Sequence, residues 1–245
     1  MCVPGWWRSL TQLRDDVVGL DASIIMHPRI WEASGHTTAF TDPMVDCKTC
    51  KGRFRADQTG EIPCPQKPSK MVCECHGEKT EARAFNLMFK TFMGPVEEQA
   101  AVVYLRPETA QGIYVNYQNV LNASRQKIPF GIAQIGKAFR NEINPRNFTF
   151  RSREFEQMEL EFFIKPDEAV EGVAGSVAAA TGSGHPGEPQ PNWGWELWHK
   201  YWVEQRIQWY ESIGLGRDRL ELYWQTGQEL AHYARACVDI LFKFP

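Results

Sequence analysis

The sequence predicts an α+β fold, an antiparallel sheet flanked by helices. Two adjacent runs, Phe130 to Ile143 and Phe148 to Ile164, have strand character and are joined by Asn144-Pro-Arg-Asn147, a turn composition. Strands linked this tightly pair antiparallel, because a parallel pair needs a long crossover. Ahead of them Ala110, Ile113, Tyr114, Tyr117, Val120 and Leu121 recur at i, i+3, i+4, i+7, i+10 and i+11, one apolar stripe of a helix. Behind them Trp198, Tyr201, Trp202, Trp209, Tyr210 and Ile213 mark a second amphipathic helix, read as core rather than as a platform for stacked bases. With 43% hydrophobic and 23% charged residues, 245 residues can bury a real core, which disfavours disordered and fibrous classes.

The remaining elements follow in order. Trp6, Trp7, Leu10 and Leu13 give an opening helix, and Ala22-Ser-Ile-Ile-Met-His-Pro28 reads as a strand ended by proline. A cysteine-rich segment covers about Asp46 to Thr80, followed by strand-like Phe85-Asn-Leu-Met-Phe89 and Val102-Val-Tyr-Leu105. Pro107 suits the first turn of the helix after them, and Glu108 in that turn would meet the positive end of the helix dipole. From Glu171 to Asn192 the chain is rich in Gly, Ala, Ser and Pro without periodicity, and reads as a flexible insertion. No signal-peptide core occurs in Met1 to Arg14 and no run of about 18 apolar residues occurs anywhere. The expectation is a cytoplasmic chain with no membrane partner. A formal charge of −3 leaves room for nucleic acid only at a local basic patch.

Alternation sorts the side chains of the two long strands. Gln134, Gly136, Ala138, Arg140 and Glu142 share a face, and the small residues leave room for a ligand beside an arginine and a carboxylate. On the second strand Arg151, Arg153, Phe155, Gln157, Glu159 and Glu161 share a face, while Met158, Leu160, Phe162 and Ile164 form a core face. The charged set could be a solvated outer face. Phe155 in its middle argues instead for a stacking partner.

Phe139-Arg-Asn-Glu142 and, after a short loop, Phe150-Arg-Ser-Arg-Glu-Phe-Glu-Gln-Met-Glu159 resemble motif 2 of the class II aminoacyl-tRNA synthetases. Tyr104-Leu-Arg-Pro-Glu-Thr-Ala-Gln-Gly112 is similar to the amino-acid-binding element of the glycine-specific, single-chain homodimeric branch. Trp31-Glu-Ala-Ser-Gly-His36, Thr41-Asp-Pro-Met44 and Phe85-Asn-Leu-Met-Phe89 match its pattern too. The resemblance covers about 1–165 almost continuously and 195–245 more weakly. It implies a class II catalytic core over 1–165 with a zinc-ribbon-like insertion at 46–80, a low-complexity insertion at 166–194, and a helical part at 195–245.

It also implies the reaction, ATP-dependent activation of glycine to glycyl-adenylate and transfer to the 3′ end of tRNA(Gly), with Mg2+ accompanying ATP. Arg140 would bridge the α-phosphate and the glycine carboxylate, a positional and electrostatic role that suits the planar fork of arginine. Asn141 and Glu142 would read the adenine edge and Phe155 would stack on it, with Phe150 in the same ATP-binding run. Arg151 or Arg153 would hold the terminal phosphates. Glu108 and Glu159 would hold the glycine ammonium, with Gln157 and Arg55 near the same substrate, and exclusion by carboxylates and bulk would select the smallest amino acid. Arg146 in the loop could touch the tRNA acceptor end or simply be solvated. His36 reads as a packed, hydrogen-bonded histidine rather than a base, and His232 as structural.

Cys47-Lys-Thr-Cys50 has the spacing of a zinc knuckle. The resemblance implies a structural, closed zinc site on Cys47, Cys50, Cys73 and Cys75, with His76 or Cys64 as the alternative fourth ligand. Reduced thiols without metal are the competing reading, and Cys2 and Cys237 look incidental. A third class II motif, an arginine on a glycine-rich helix, has no candidate before Pro245, and the opening helix resembles a shortened dimer-forming motif 1. The expectation is therefore a chain cut at both ends, taken from a homodimeric parent, with weak ATP binding and incomplete aminoacylation. The rival from another class is a non-catalytic synthetase-like protein that binds tRNA or adenylate.

Overall fold

A computed structural model describes residues 2–98, 101–146, 150–180, 185–231 and 233–244. Asn147 of the expected turn, the first two residues of the strand expected from Phe148, and His232 lie outside the described residues. The chain resolves into two compact units.

The first unit comprises 1–18, 121–131 and 162–245. Its helices are α1 (Cys2–Thr11), α4 (Asp167–Ala174) and α5 (Trp195–Ser212), and β12 (Leu220–Trp224) pairs antiparallel with β13 (Val238–Phe242). That hairpin has no counterpart in the sequence reading, since neither strand alternates cleanly. The core gathers Trp193, Leu197, Trp198 and Tyr201, with Phe162 and Ile164 against them. The tryptophans of α5 are therefore mostly interior, as their spacing suggests. The first eighteen residues join this unit because Arg14 reaches Tyr201 Oη at 2.9 Å and Gln205 Oε1 at 3.3 Å, with its guanidinium 4.7 Å from the Trp202 ring. A linear division at 165 and 195 does not describe that packing.

The stretch expected to be structureless opens with a helix. α4 runs to Ala174 and stops at Gly175, whose φ of 79° closes the last turn through its N–H to Glu171 O. Asp167 in turn caps α5, accepting from Trp195 N at 2.9 Å. Ala178 then donates to Asn192 O at 2.9 Å, so the described parts of this segment fold back on themselves.

The second unit comprises 19–120 and 132–161. β2 (Ile25–Met26), β9 (Val102–Leu105) and β8 (Lys90–Phe92) form one sheet in the order β2-β9-β8. β4 (Arg53–Arg55), β3 (Thr41–Asp46) and β7 (Arg83–Asn86) form another, β4-β3-β7, and β5 (Pro63–Cys64) pairs with β6 (Lys67–Met71). Every register in these three sheets is antiparallel. A short helix α2 (Pro28–Ala33) starts at the proline that ends the expected strand, with Pro28 in its first turn. The long strands β10 (Phe130–Phe139) and β11 (Glu154–Phe163) form a fourth sheet with β1 (Val17–Leu20), in the order β1-β10-β11.

Both long strands are shorter than expected, and Arg140 to Arg146 leave the ladder. β10 is the middle strand, and Phe130 to Gln134 are buried without alternation, so period two says nothing there. On β11 the expected core face begins exposed, with Met158 at 36%, while Phe155, Gln157 and Glu159 are half-buried. The charged face is the covered one along this part of the strand.

The helix expected from Pro107 begins at Ala110 as α3 (Ala110–Ser124). Tertiary contacts hold the preceding residues out of it. Phe139 N donates to Arg106 O at 2.9 Å, and Thr109 N donates to Glu159 Oε2 at 3.0 Å.

Candidate active site

The site is built on an arginine the sequence reading left unassigned. Arg106, at the end of β9, is 2% exposed. Its Nε donates to Lys137 O at 2.7 Å and its Nη1 to Ala22 O at 2.7 Å. Carbonyls rather than a carboxylate hold this charge, and burial pulls its pKa below the ordinary arginine value. The guanidinium fills the space beside Gly136, where a Cβ would stand 2.2 Å from Nη2. The trough expected at Gly136 and Ala138 is thus occupied by the protein itself, and Ala138 is fully buried.

Above this bed stand two carboxylates, each tied by one oxygen. Glu159 Oε2 accepts from both the N–H and the hydroxyl of Thr109. Glu108 Oε1 accepts from Gln111 Nε2 at 2.7 Å and faces His36 Nε2 at 3.4 Å. Among the described residues, no hydrogen bond engages Glu159 Oε1 or Glu108 Oε2. The hydrogen bond from His36 is the main cause that holds the Glu108 carboxyl below the usual range, opposed by its burial, with the Arg140 charge adding a smaller pull. A third carboxylate, Glu161, accepts from Tyr114 Oη at 2.8 Å. Burial first, then the charges of Glu159 and Glu108, push its pKa up, although the Tyr114 hydroxyl opposes them.

Arg140 lies beside this group. Its Nε donates to Pro107 O at 3.2 Å, and its guanidinium sits between two rings, 5.5 Å from Phe40 and 5.2 Å from Phe155. Its N–H donates to Arg153 O at 3.0 Å, which joins the ends of β10 and β11. The two arginines that could have held phosphates now separate. Arg153 clamps the Glu142 carbonyl through Nε and Nη2 at 3.1 and 3.0 Å. Arg151 reaches the Glu142 carboxylate at 3.3 Å and is the freer of the two. Glu142 is 8% exposed, and the Asn141 N–H is already spent on Leu87 O at 2.8 Å.

Two expected members stand apart. Phe150 is 87% exposed and is not gathered with the others. Arg55 is committed to an ion pair with Asp42 at 2.6 Å and to Asp57 at 2.8 Å, and the Glu142 charge acts on it as well. None of these contacts reaches Glu108 or Glu159. Gln157 stays with the group, and its Oε1 is buried with no partner among the described residues, a polar atom left for a ligand. Arg146 pairs with Glu61 at 2.6 Å. Thr109, Tyr114, Glu161 and Phe40 complete the site. Only Glu161 could have been found beforehand, from its parity with Glu159.

In the cysteine segment, Cys47, Cys50, Cys64 and Cys75 line one cavity of about 120 Å³, whereas Cys73 is exposed and absent from it. Of the expected set Cys47, Cys50 and Cys75 meet at this cavity, and both expected alternatives, Cys64 and His76, line it as well, while Cys73 does not. Backbone N–H groups point at the sulfurs in knuckle fashion. Cys50 N, 3.5 Å from Cys47 Sγ, is the main cause that lowers the Cys47 pKa. Burial pushes the Cys64 thiol up, but the N–H groups of Gln66 and Lys67 outweigh it and leave the pKa lowered. Gly77 is needed here, since a Cβ would meet Cys47 Sγ at 2.6 Å. As the side chains stand, no group of three or more His, Cys, Asp or Glu among the described residues is close enough to hold an ion. The donor chemistry, four soft thiols with backbone N–H support, is of the kind that zinc takes.

The chain is similar to known proteins of one family. The tRNA synthetase class II core domain (G, H, P, S and T) matches residues 88–182. Glycine--tRNA ligase of Treponema denticola is 52% identical over 241 residues, 98% of this chain and 47% of the relative. Glycine--tRNA ligase of Thermus thermophilus is 43% identical over 277 residues, 98% of this chain and 50% of the relative. The chain spans about half the length of the curated relatives it matches. A prolyl-tRNA synthetase from Cryptosporidium parvum, complexed with halofuginone and AMPPNP, shares the fold at a TM-score of 0.51 and 10% identity, over 98% of this chain and 33% of that one.

Proposed function

The chain belongs to the class II tRNA synthetases, with glycine--tRNA ligases as its relatives, and we propose that it forms the part of such a ligase that binds glycine and ATP and joins them as glycyl-adenylate. One observation carries this reading: Glu108 and Glu159 each keep one oxygen without a partner among the described residues, beside an arginine held between two rings. An ammonium group has three N–H bonds and suits two such oxygens, while Arg140 suits the negative charge gathered where a carboxylate meets a phosphate.

In the proposed reaction a glycine carboxylate oxygen attacks the α-phosphorus of ATP, which enters with Mg2+ as substrate. The bond to pyrophosphate breaks and the mixed anhydride forms. A terminal ribose hydroxyl of tRNA(Gly) then attacks the glycyl carbonyl, the acyl–phosphate bond breaks, and AMP leaves as the ester forms. Arg140 orients both reacting groups and disperses the transition-state charge, and no covalent link to the protein is needed. Phe155 supplies the ring for adenine, Glu142 and the Asn141 carbonyl its polar edge, and Arg151 the contact to the outer phosphates. Gln157 offers its unpartnered oxygen to the glycine end.

The reading extends to a cytoplasmic, homodimeric parent ligase, with a class II core over 1–165 and insertions at 46–80 and 166–194. A structural zinc on Cys47, Cys50, Cys64 and Cys75 would cross-link the 46–80 segment, with no part in the chemistry. The test is ATP–pyrophosphate exchange by the purified chain with glycine, alanine and serine. Exchange with glycine alone supports the reading. Absence of both exchange and saturable binding of a glycyl-adenylate analogue refutes it for this chain.

A further inference from the structure

Two motifs of the sequence, Trp31-Glu-Ala-Ser-Gly-His36 and Phe85-Asn-Leu-Met-Phe89, supply no group that would touch substrate in the reading above. Together they hold one histidine. The His36 ring meets the edge of Trp31 with centroids 5.6 Å apart and tilts against Phe40 at 5.3 Å. Trp31 is completely buried, so this side of the ring cannot move. Asn86 fixes the backbone beneath it, donating from Nδ2 to His36 O and Thr37 O at 3.0 Å each, while its Oδ1 accepts from Met88 N at 2.8 Å. Ser34 Oγ lies 2.8 Å from His36 Nδ1. The other ring nitrogen, Nε2, faces Glu108 Oε1 at 3.4 Å, and the side chain of His36 is only 12% exposed.

Resting on the glycine-binding reading, we infer that His36 is a positioning residue for Glu108: it fixes which carboxylate oxygen is turned toward the substrate ammonium. An ionised carboxylate only accepts hydrogen bonds, so Nε2 must carry a proton. In the neutral imidazole Nδ1 is then an acceptor, and the one Ser34 hydroxyl proton goes to it at 2.8 Å rather than to the more distant Trp31 O at 3.4 Å. Ser34 thereby selects the tautomer, His36 ties Oε1 together with Gln111, and Oε2 remains for the ligand. Free rotation of the carboxylate would offer either oxygen in many orientations, and ordering it in advance strengthens binding. Phe40 links the two halves of the site, with the His36 ring and the Arg140 guanidinium both packed on it.

The experiment is calorimetric titration of the intact chain and its variants with two probes, 5′-O-(glycylsulfamoyl)adenosine and ATP. His36→Ala is expected to weaken the glycyl probe about tenfold, the effect of one lost hydrogen bond to a charged group, and to leave ATP affinity within about twofold. His36→Gln, whose amide nitrogen can stand near the position of Nε2, recovers most of the loss, and Ser34→Ala reproduces part of it. Thermal melts identify any variant that fails to fold. If His36→Ala does so, the Gln and Ser34 variants decide. Unchanged glycyl-probe affinity in the folded variants overturns the inference. So does equal loss for both probes without rescue by glutamine, which would make His36 a packing residue only. A wild-type chain that binds no glycyl probe overturns the glycine-binding reading itself, and the inference with it.

Discussion

Substituting Gly136 by alanine tests the buried arginine directly. The added methyl would lie 2.2 Å from Nη2 of Arg106 and 3.3 Å from its Cζ, far inside contact distance. A guanidinium on a long side chain would normally swing aside. This one is 2% exposed, and bonds of 2.7 Å to Lys137 O and 2.7 Å to Ala22 O pin it at two points. Displacing it breaks charge-assisted hydrogen bonds worth about 1.5–3 kcal/mol each. Leaving a buried charge without compensation costs about 3–5 kcal/mol. Taking the latter as the net effect, at about 2–4 °C per kcal/mol for a chain of this size, Tm should fall by roughly 6–20 °C. Circular dichroism melts of Gly136→Ala, Arg106→Met and the double variant measure it. With methionine in place of the arginine the methyl no longer meets a pinned charge, so the two substitutions should couple by more than about 1 kcal/mol. A Gly136→Ala melt within about 2 °C of wild type, or strict additivity in the cycle, would refute the reasoning.

Other outcomes follow from the site. Arg140→Ala should lower glycine-dependent pyrophosphate exchange by roughly 10²–10³, the loss of a preorganised charge at the reacting centre; undiminished exchange would remove it from the chemistry. Cys64→Ser should reduce bound zinc measured by atomic absorption, while Cys73→Ser leaves it unchanged, and the reverse result would restore the ligand set expected from sequence. Glu161 has a raised pKa in the folded chain, so its favourable contribution exists only where it is protonated, below the ordinary glutamate value of about 4.3, and is lost as pH rises through the folded value. Glu161→Gln should therefore be as stable as wild type or more so at neutral pH, with the difference shrinking toward acid. A pH-independent difference in urea midpoints would contradict the crowding of Glu108, Glu159 and Glu161.

The chemistry of the site was more legible in the sequence than its construction. Arg140, Glu108, Glu159 and Phe155 stand out from the resemblance to the class II motifs, and the structure gathers them. Period two also grouped Glu161 correctly with Glu159. It failed on β10, where a middle strand is covered on both faces and small residues report packing rather than ligand space. Gly136 was read as a trough because nothing in a linear pattern announces an arginine arriving from β9, thirty residues earlier. The start of α3 was misplaced for a related reason: local preference puts Pro107 in a first turn, but Glu159 takes Thr109 and holds the chain open. For the cysteines, Cys-x-Cys spacing favoured Cys73, whereas the β5–β6 hairpin turns Cys64 inward.

Arg14 has a consequence for how this chain is made. Its partner Tyr201 lies 187 positions later, so as synthesis proceeds Arg14 must wait for α5 to emerge. The intervening 19–120 and 132–161 form a compact unit of their own and can condense first. During that interval Arg14 has Asp16 as a partner but not yet Tyr201 or Gln205. Closing so long a loop is slow more than it is destabilising. The arrival of α5 is therefore the event that completes the surroundings of Arg14.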